Sequence, residues 1–267
     1  MLQLIKTIVL IACLVTAGLS VADHRTVKRL VVFGDSLSDQ GKLYQKYFKL
    51  IPKSPPYWDG RFSNGPVWTD ILAADYSIVN ESEGGATVVD YTRFSSDWEY
   101  AVVTNLSKEI CDFLGKHDFL PTDLVIILLG ANDYIGDDPV HDDNVQRVIR
   151  DLADNIAYIQ QKGAQQVLVV NLPDLGKTPY ERFEDNDDVK SQVIDTHNRL
   201  LDERLSSLFS PHFLQVFDLH AHVDAVLKAP GKHSLTNVLS PCLTESTTHD
   251  SAVFMQPREQ ELYQALI

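Results

Sequence analysis

The chain has 267 residues, a formal net charge of −14 and 44% hydrophobic residues. That length suits one sizeable α/β domain and is tight for two, and the hydrophobic content suffices for a core and excludes global disorder. The acidity disfavours nucleic acid as a partner, because phosphate backbones are gripped by clustered Lys and Arg. It also argues against a purely electrostatic hold on anionic membranes.

The first residues read as a leader. Lys6 gives a positive start, Ile8 to Leu19 is an apolar run too short to span a bilayer, and Ser20-Val21-Ala22 offers small residues for cleavage. Residues 1–22 are therefore expected to be a secretory signal peptide, and residues 23–267 the folded domain, secreted or periplasmic. Leu10-Ile11-Ala12-Cys13 has the look of a lipoprotein box, but the residues after Cys13 stay apolar. Export implies an oxidising compartment. Beyond the leader only Cys111 and Cys242 remain. Cys111 falls in a predicted helix and reads as a buried thiol; Cys242 follows Pro241 in a loop. No zinc spacing and no cofactor signature is written in the chain.

Strands and helices alternate from there on. Leu30 to Phe33 is a short apolar run closed by Gly34, which suits a buried parallel strand. Val67 to Tyr76 reads as a helix, Ser77 to Asn80 as a weaker strand, and Trp98 to Lys116 as a helix. Leu124 to Leu129 is uniformly apolar and stops at Gly130, again a buried strand. Val145, Val148, Ile149, Leu152, Ile156 and Ile159 recur at helical spacing, with Gly163 where a cap belongs. Val167 to Leu172 is the next strand, Val189 to Phe209 a long helix, Phe213 to Leu219 a strand, and Ala221 to Lys228 a short helix. Repeated β-α units predict a three-layer α/β/α sandwich around a mostly parallel sheet. Ligands bind such sheets at the carboxyl ends of the strands.

Three segments follow three successive strands: Gly34-Asp35-Ser36-Leu37-Ser38-Asp39, Asn80 to Thr87 with its Gly84-Gly85 pair, and Gly130-Ala131-Asn132-Asp133. A serine on a sharp turn, a glycine backbone N–H and an asparagine amide converging on one carbonyl oxygen are what acyl transfer needs. Each segment alone is more often a turn or a helix cap; their order and placement give them weight. Asp35 and Asp39 are expected to be structural, since carboxylates facing a developing oxyanion would oppose catalysis.

Val31 to Asp39 resembles the first signature block of the GDSL (SGNH) esterase/lipase family. Asn80 to Thr87 resembles its second block and Gly130 to Asp133 its third. Gly60 to Trp68 and Leu172 to Pro179 resemble segments of the branch that holds exported bacterial lysophospholipases and glycerophospholipid–cholesterol acyltransferases. The resemblance runs from about Arg29 to Cys242 and implies the flavodoxin-like fold of these hydrolases. It implies Ser36 as nucleophile, Gly85 and Asn132 as oxyanion-hole donors, and no cofactor or metal. It also implies a lipid or other small ester substrate, with transient contact to a membrane surface.

The family's histidine base normally comes from an Asp-x-x-His-Pro block near the C-terminus, and this sequence contains none. His24, His117, His197, His212 and His233 lack a suitable pattern. His220 and His222 stand near Asp218 at the wrong spacing. Asp138-Pro139-Val140-His141 has the spacing but follows the third block, and His249-Asp250 is reversed. The expectation is a chain truncated before the block. Decay is the alternative, with Gln256 of Phe254-Met255-Gln256-Pro257 where histidine belongs. Either way the 267-residue chain is expected to be inactive or nearly so. The expected function is a lipid-ester hydrolase of lysophospholipase or phospholipase A type. The alternatives are acyl transfer to a sterol or other alcohol, sugar deacetylation, and an inactive ester-binding homologue. An aromatic-rich stretch, Tyr44, Tyr47, Phe48, Tyr57, Trp58 and Phe62, either lines an acyl groove or covers the sheet edge.

Overall fold

The computed structural model describes residues 27–93, 103–135, 142–183 and 187–240. The leader, Asp138 to His141, Cys242, His249 and Phe254 to Pro257 lie outside the described residues.

Five parallel strands form one sheet in the order β2-β1-β3-β4-β5: β1 Arg29–Gly34, β2 Ser77–Asn80, β3 Asp123–Leu128, β4 Val167–Val170 and β5 Leu214–Phe217. Among the described residues seven α-helices accompany them: α1 Lys42–Lys46, α2 Trp68–Leu72, α3 Leu106–Leu114, α4 Asp142–Gln161, α5 Pro179–Phe183, α6 Asp187–Leu208 and α7 Leu219–Lys228. This is the doubly wound order with its switch beside β1, and β1 pairs with β2 on one side and β3 on the other.

The layers follow from the two-residue period of the strands. Val31 and Phe33 of β1, Val125 and Ile127 of β3, and Val167 and Val169 of β4 face one side. There they meet Leu106, Ile110 and Phe113 of α3, the Val145-to-Ile159 stripe of α4, and Ile194, Leu201 and Leu205 of α6. Leu30, Val32, Ile126 and Leu128 face the other side and meet Leu72 and Trp68 of α2 and Leu219 of α7. The continuous apolar runs of β1 and β3 thus serve two cores at once.

Helix α4 ends where expected, with Gly163 in the left-handed region at φ 103° and Ala164 N–H donating back to Ile159 C=O at 3.1 Å. Two helices are shorter than their patterns suggest. Helix α2 stops at Leu72, and the chain turns through Ala73 and Ala74 into β2. Helix α3 starts at Leu106, where Asn105 caps it, its side chain accepting from Lys108 N–H at 3.0 Å, while residues 98–102 of the expected helix lie outside the described residues. Cys111 corrects an expectation: it is exposed, not buried. It lies beside Ile110 on α3, about 100° around the helix from that inward residue.

Candidate active site

The three segments stand at the carboxyl edge of three neighbouring strands. Ser36 lies two residues beyond β1, Gly85 five beyond β2 and Asn132 four beyond β3, so the serine occupies the central strand end.

The serine turn is built by its two aspartates. Asp35 C=O accepts from the N–H groups of Ser38 and Asp39, both at 3.0 Å, and the Asp35 carboxylate accepts from Leu37 N–H at 2.9 Å. Ser36 sits inside this loop, largely buried. Asp39 is fully buried and caps α1, accepting from Gly41, Lys42 and Leu43 N–H at 2.7, 2.6 and 3.2 Å. Its second oxygen also accepts from Gly84 N–H at 2.9 Å, which ties the first segment to the second. Burial raises both carboxyls above the usual range, Asp35 to about 7, against the opposing pull of these N–H donors.

Ser38 extends the brace. Its hydroxyl accepts from Trp68 Nε1 at 3.1 Å, and its C=O accepts from Asn80 Nδ2 at 2.7 Å and from the Thr69 hydroxyl at 3.3 Å. Asn80 Oδ1 in turn accepts from Ser82 N–H at 2.9 Å. Gly34 leaves no room for a side chain: a Cβ there would stand 2.8 Å from Leu128 C=O and 3.0 Å from the Ser38 and Ser82 hydroxyls. The β1 strand end thus presses on the β3 backbone at Leu128 and on the Ser38 and Ser82 hydroxyls of the serine turn and the second segment.

Gly84 lies against the Phe62 ring, and Gly85 follows at φ 79°, a conformation that side-chain-bearing residues adopt at a cost. Among the described residues the Gly85 N–H has no acceptor. Asn132 sits in a single 3-10 turn, Ala131–Asp133, and is half-buried. Its Nδ2 donates to Ala86 C=O at 2.9 Å. A carboxamide carries two N–H donors on that nitrogen, so one is spent on Ala86 and one is left over. The adjacent Asp133 accepts from Val88 and Val89 N–H at 2.8 and 3.1 Å and from the Tyr91 hydroxyl at 3.1 Å. Burial raises its carboxyl to about 7. Two adjacent residues of the third segment thus hold the second.

One residue of this framework escaped the sequence reading. Glu109 of α3 is fully buried, and its Oε2 accepts from Gly34 N–H at 3.0 Å. Strand β2 has left β1 by this point, and the carboxylate replaces the missing strand acceptor. Burial pushes the Glu109 carboxyl well above the usual range, partly offset by Lys42. A signal was available: Glu109 sits on the same helix face as Leu106, Ile110 and Phe113, where only a paired charge belongs.

Three of the described histidines have engagements away from Ser36. His197 is fully buried, with Nδ1 2.7 Å from the Tyr134 hydroxyl, and burial depresses it to about 3. His220 Nδ1 lies 3.2 Å from Leu172 C=O and from Asn198 Nδ2. The His117 ring lies 5.4 Å from that of Phe113. The aromatic stretch divides: Phe62 and Tyr57 are buried, Tyr44 covers Gly60, and Phe48 and Trp58 face outward. Among the described residues no group of three or more His, Cys, Asp or Glu is arranged to hold a metal.

The model of the GDSL-like lipase/acylhydrolase family matches residues 30–248. A phosphatidylcholine-sterol acyltransferase of Aeromonas hydrophila is 37% identical over 241 residues, 89% of this chain and 72% of that protein. The secreted effector protein SseJ of Salmonella typhimurium is 35% identical over 187 residues, 68% of this chain and 44% of that protein. The native aryl esterase structure of M. smegmatis covers 90% of this chain and 96% of its own at 22% identity, with a TM-score of 0.44. With a family match over most of its length, and with serine, glycine and asparagine segments at three adjoining strand ends, this chain belongs to the GDSL-like lipase/acylhydrolase family.

Proposed function

We propose that this protein cleaves carboxylic esters of lipids, single-chain lysophospholipids foremost, through an acyl-enzyme on Ser36. The observation that carries the reading is the bonding of the three strand-end segments to one another around the serine turn, by Asp39 to Gly84, Asn132 to Ala86 and Asp133 to Val88 and Val89. Such preorganised donors are effective because they need not reorient as charge develops.

Ser36 Oγ attacks the ester carbonyl carbon. The carbonyl oxygen takes up negative charge and is held by the Ser36 and Gly85 N–H groups and the second Asn132 N–H. The tetrahedral intermediate expels the alcohol, which takes up a proton, and leaves the acyl group on Ser36. Water then attacks the acyl-enzyme, releasing the acid and restoring the hydroxyl. The serine proton must pass to a general base during attack. The Asp-x-x-His-Pro block that supplies it in the family is not written in these residues.

The decisive readout is acylation of Ser36, the first covalent step. Incubation with an activated p-nitrophenyl ester should add one acyl group to the intact mass and place it on Ser36. Ser36→Ala should abolish the adduct and leave the fold intact. An adduct of equal yield in Ser36→Ala overturns the nucleophile assignment.

A second reading concerns the acceptor. The similarity to a phosphatidylcholine-sterol acyltransferase favours release of the acyl group to an alcohol as well as to water. Product analysis with a phospholipid donor in the presence and absence of a sterol separates ester transfer from hydrolysis.

A further inference from the structure

The segment between the first family segment and α2 combines basic residues with exposed apolar side chains. From Lys42 to Arg61 the chain has five basic residues, Lys42, Lys46, Lys49, Lys53 and Arg61, against the single acid Asp59, in a protein of net charge −14. Phe48 is 87% exposed and Leu50 70%, and Trp58 is also exposed. Large apolar side chains this open to water call for an explanation when they cluster.

The tip is held in shape. Phe48 and Lys49 are both left-handed, at φ 55° and 66°, conformations that side-chain-bearing residues seldom take in succession. The turn is closed by Phe48 N–H on Gln45 C=O, Lys49 N–H on Tyr44 C=O and Leu50 N–H on Tyr47 C=O, at 3.3, 2.7 and 3.0 Å. Trp58 is steadied by the Arg61 guanidinium 4.9 Å from its ring centre. Phe48 and Leu50 therefore stand out on a bonded turn, with no apolar partner among the buried clusters of the described residues.

Both ends of the segment are fastened beside the candidate active site. Asp39 caps α1, Lys42 donates to Glu81 C=O at 2.7 Å and to its carboxylate at 2.9 Å, and Lys46 pairs with Glu83. Leu43 and Phe62 pack against Gly84. Three of the basic groups, Lys42, Lys46 and Arg61, are thus used internally, Arg61 on Asp59 and Asp70. Lys49 and Lys53 are exposed and form no ion pair among the described residues.

We propose that this surface docks on a lipid bilayer, with Phe48 and Leu50 entering the interface and Lys49 and Lys53 meeting anionic headgroups. Charge complementarity selects this occupant. An acidic molecule is repelled by an anionic bilayer except where basic groups and apolar tips coincide, and that coincidence occurs at this segment. Docking there would bring the strand ends that carry Ser36, Gly85 and Asn132 toward the membrane. The proposal takes from the functional reading only that the ester is a lipid.

The test is sedimentation of the full chain with phosphatidylcholine vesicles, with and without phosphatidylglycerol, read without turnover. The wild type should bind the mixed vesicles more tightly than the zwitterionic ones. F48S/L50S should weaken binding to both by about tenfold or more, from the loss of two apolar insertions. K49E/K53E should lose the preference for phosphatidylglycerol, and added salt should reduce that preference in the wild type. Circular dichroism should be unchanged in both variants, because the substituted side chains are exposed. Equal sedimentation of F48S/L50S and wild type overturns the proposal. So does a wild type that ignores both vesicles, including one that instead self-associates through this surface. Loss of Ser36 acylation with vesicle binding intact would defeat the functional reading alone.

Discussion

Asn132 Nδ2 donates to Ala86 C=O at 2.9 Å, so the side chain assigned to hold the oxyanion is itself held by the residue next to Gly85, the other assigned donor. The bond fixes the carboxamide plane and aims its remaining N–H. Asn132→Ala removes a donor and also frees the Gly85–Ala86 backbone. Acylation of Ser36 should slow by about 10²–10³-fold, the typical loss for one oxyanion donor. The check is the acylation rate followed by intact mass. A loss of only a few-fold would mean that the amide serves the backbone and not the reaction.

Glu109 offers a test of the framework. Glu109→Ala leaves the buried Gly34 N–H without an acceptor and should cost about 1–3 kcal/mol in urea unfolding. Glu109→Gln keeps an acceptor oxygen and should cost less. The pH dependence has a definite sign. Burial raises this carboxyl above its unfolded value, so the folded state binds the proton more tightly. Its stabilising share is present below about pH 4.5 and is lost as the pH rises toward its folded value. Glu109→Gln should therefore lose less stability than the wild type as the pH is raised from the acid side. Parallel slopes would show that Glu109 does not titrate on unfolding.

These residues show which parts of the molecule a sequence can disclose. Strands β1, β3 and β4 and helices α4 and α6 were legible because their apolar pattern is local and long enough to count. Helix α1 spans only Lys42 to Lys46, too short for a period to emerge, and its first N–H groups are held by Asp39, two residues before its N-cap Gly41. Helix α2 was read through to Tyr76, yet nothing local announces its stop at Leu72. The positions of Ser36, Gly85 and Asn132 after their strands could be read, since each lies in a contiguous segment. The bonds that join those segments could not: Asp39 to Gly84 and Asp133 to Val88 each link residues 45 apart. Cys111 was misjudged because a helical residue's burial depends on its angle around the axis, not on its hydrophobicity.

Gly84 provides a packing test. A Cβ at this position would stand 2.4 Å from Phe62 Cε2, far inside contact distance, and Phe62 is fully buried. Gly84→Ala should destabilise the protein by about 1–3 kcal/mol through overpacking. Phe62→Leu shortens the opposing side chain and should itself destabilise by leaving a void. The double variant should be more stable than the sum of the two losses predicts, because each change relieves the other. Urea midpoints of the four proteins close the cycle. Strict additivity would show that the two residues do not press on one another.

The last prediction concerns the acid side of the stability curve and rests on His197. The ring is fully buried beside Tyr134, edge to face at 5.4 Å, with Nδ1 2.7 Å from the tyrosine hydroxyl. Burial lowers its pKa from 6.5 to about 3, so the fold holds it neutral. The unfolded chain binds the proton more readily, and stability from this group is lost as the pH falls below about 6.5 toward 3. Between pH 7 and pH 5 its share of that loss is about 2 kcal/mol. The single variant His197→Phe would strand the Tyr134 hydroxyl, so the informative protein is the double variant Tyr134→Phe/His197→Phe. It retains both rings and removes both hydrogen-bonding partners, a change that can be nearly neutral at pH 7. Urea unfolding at pH 7 and pH 5 should show the wild type losing about 2 kcal/mol more than the double variant. An equal loss in both proteins would mean that His197 is protonated within the fold, contrary to its burial.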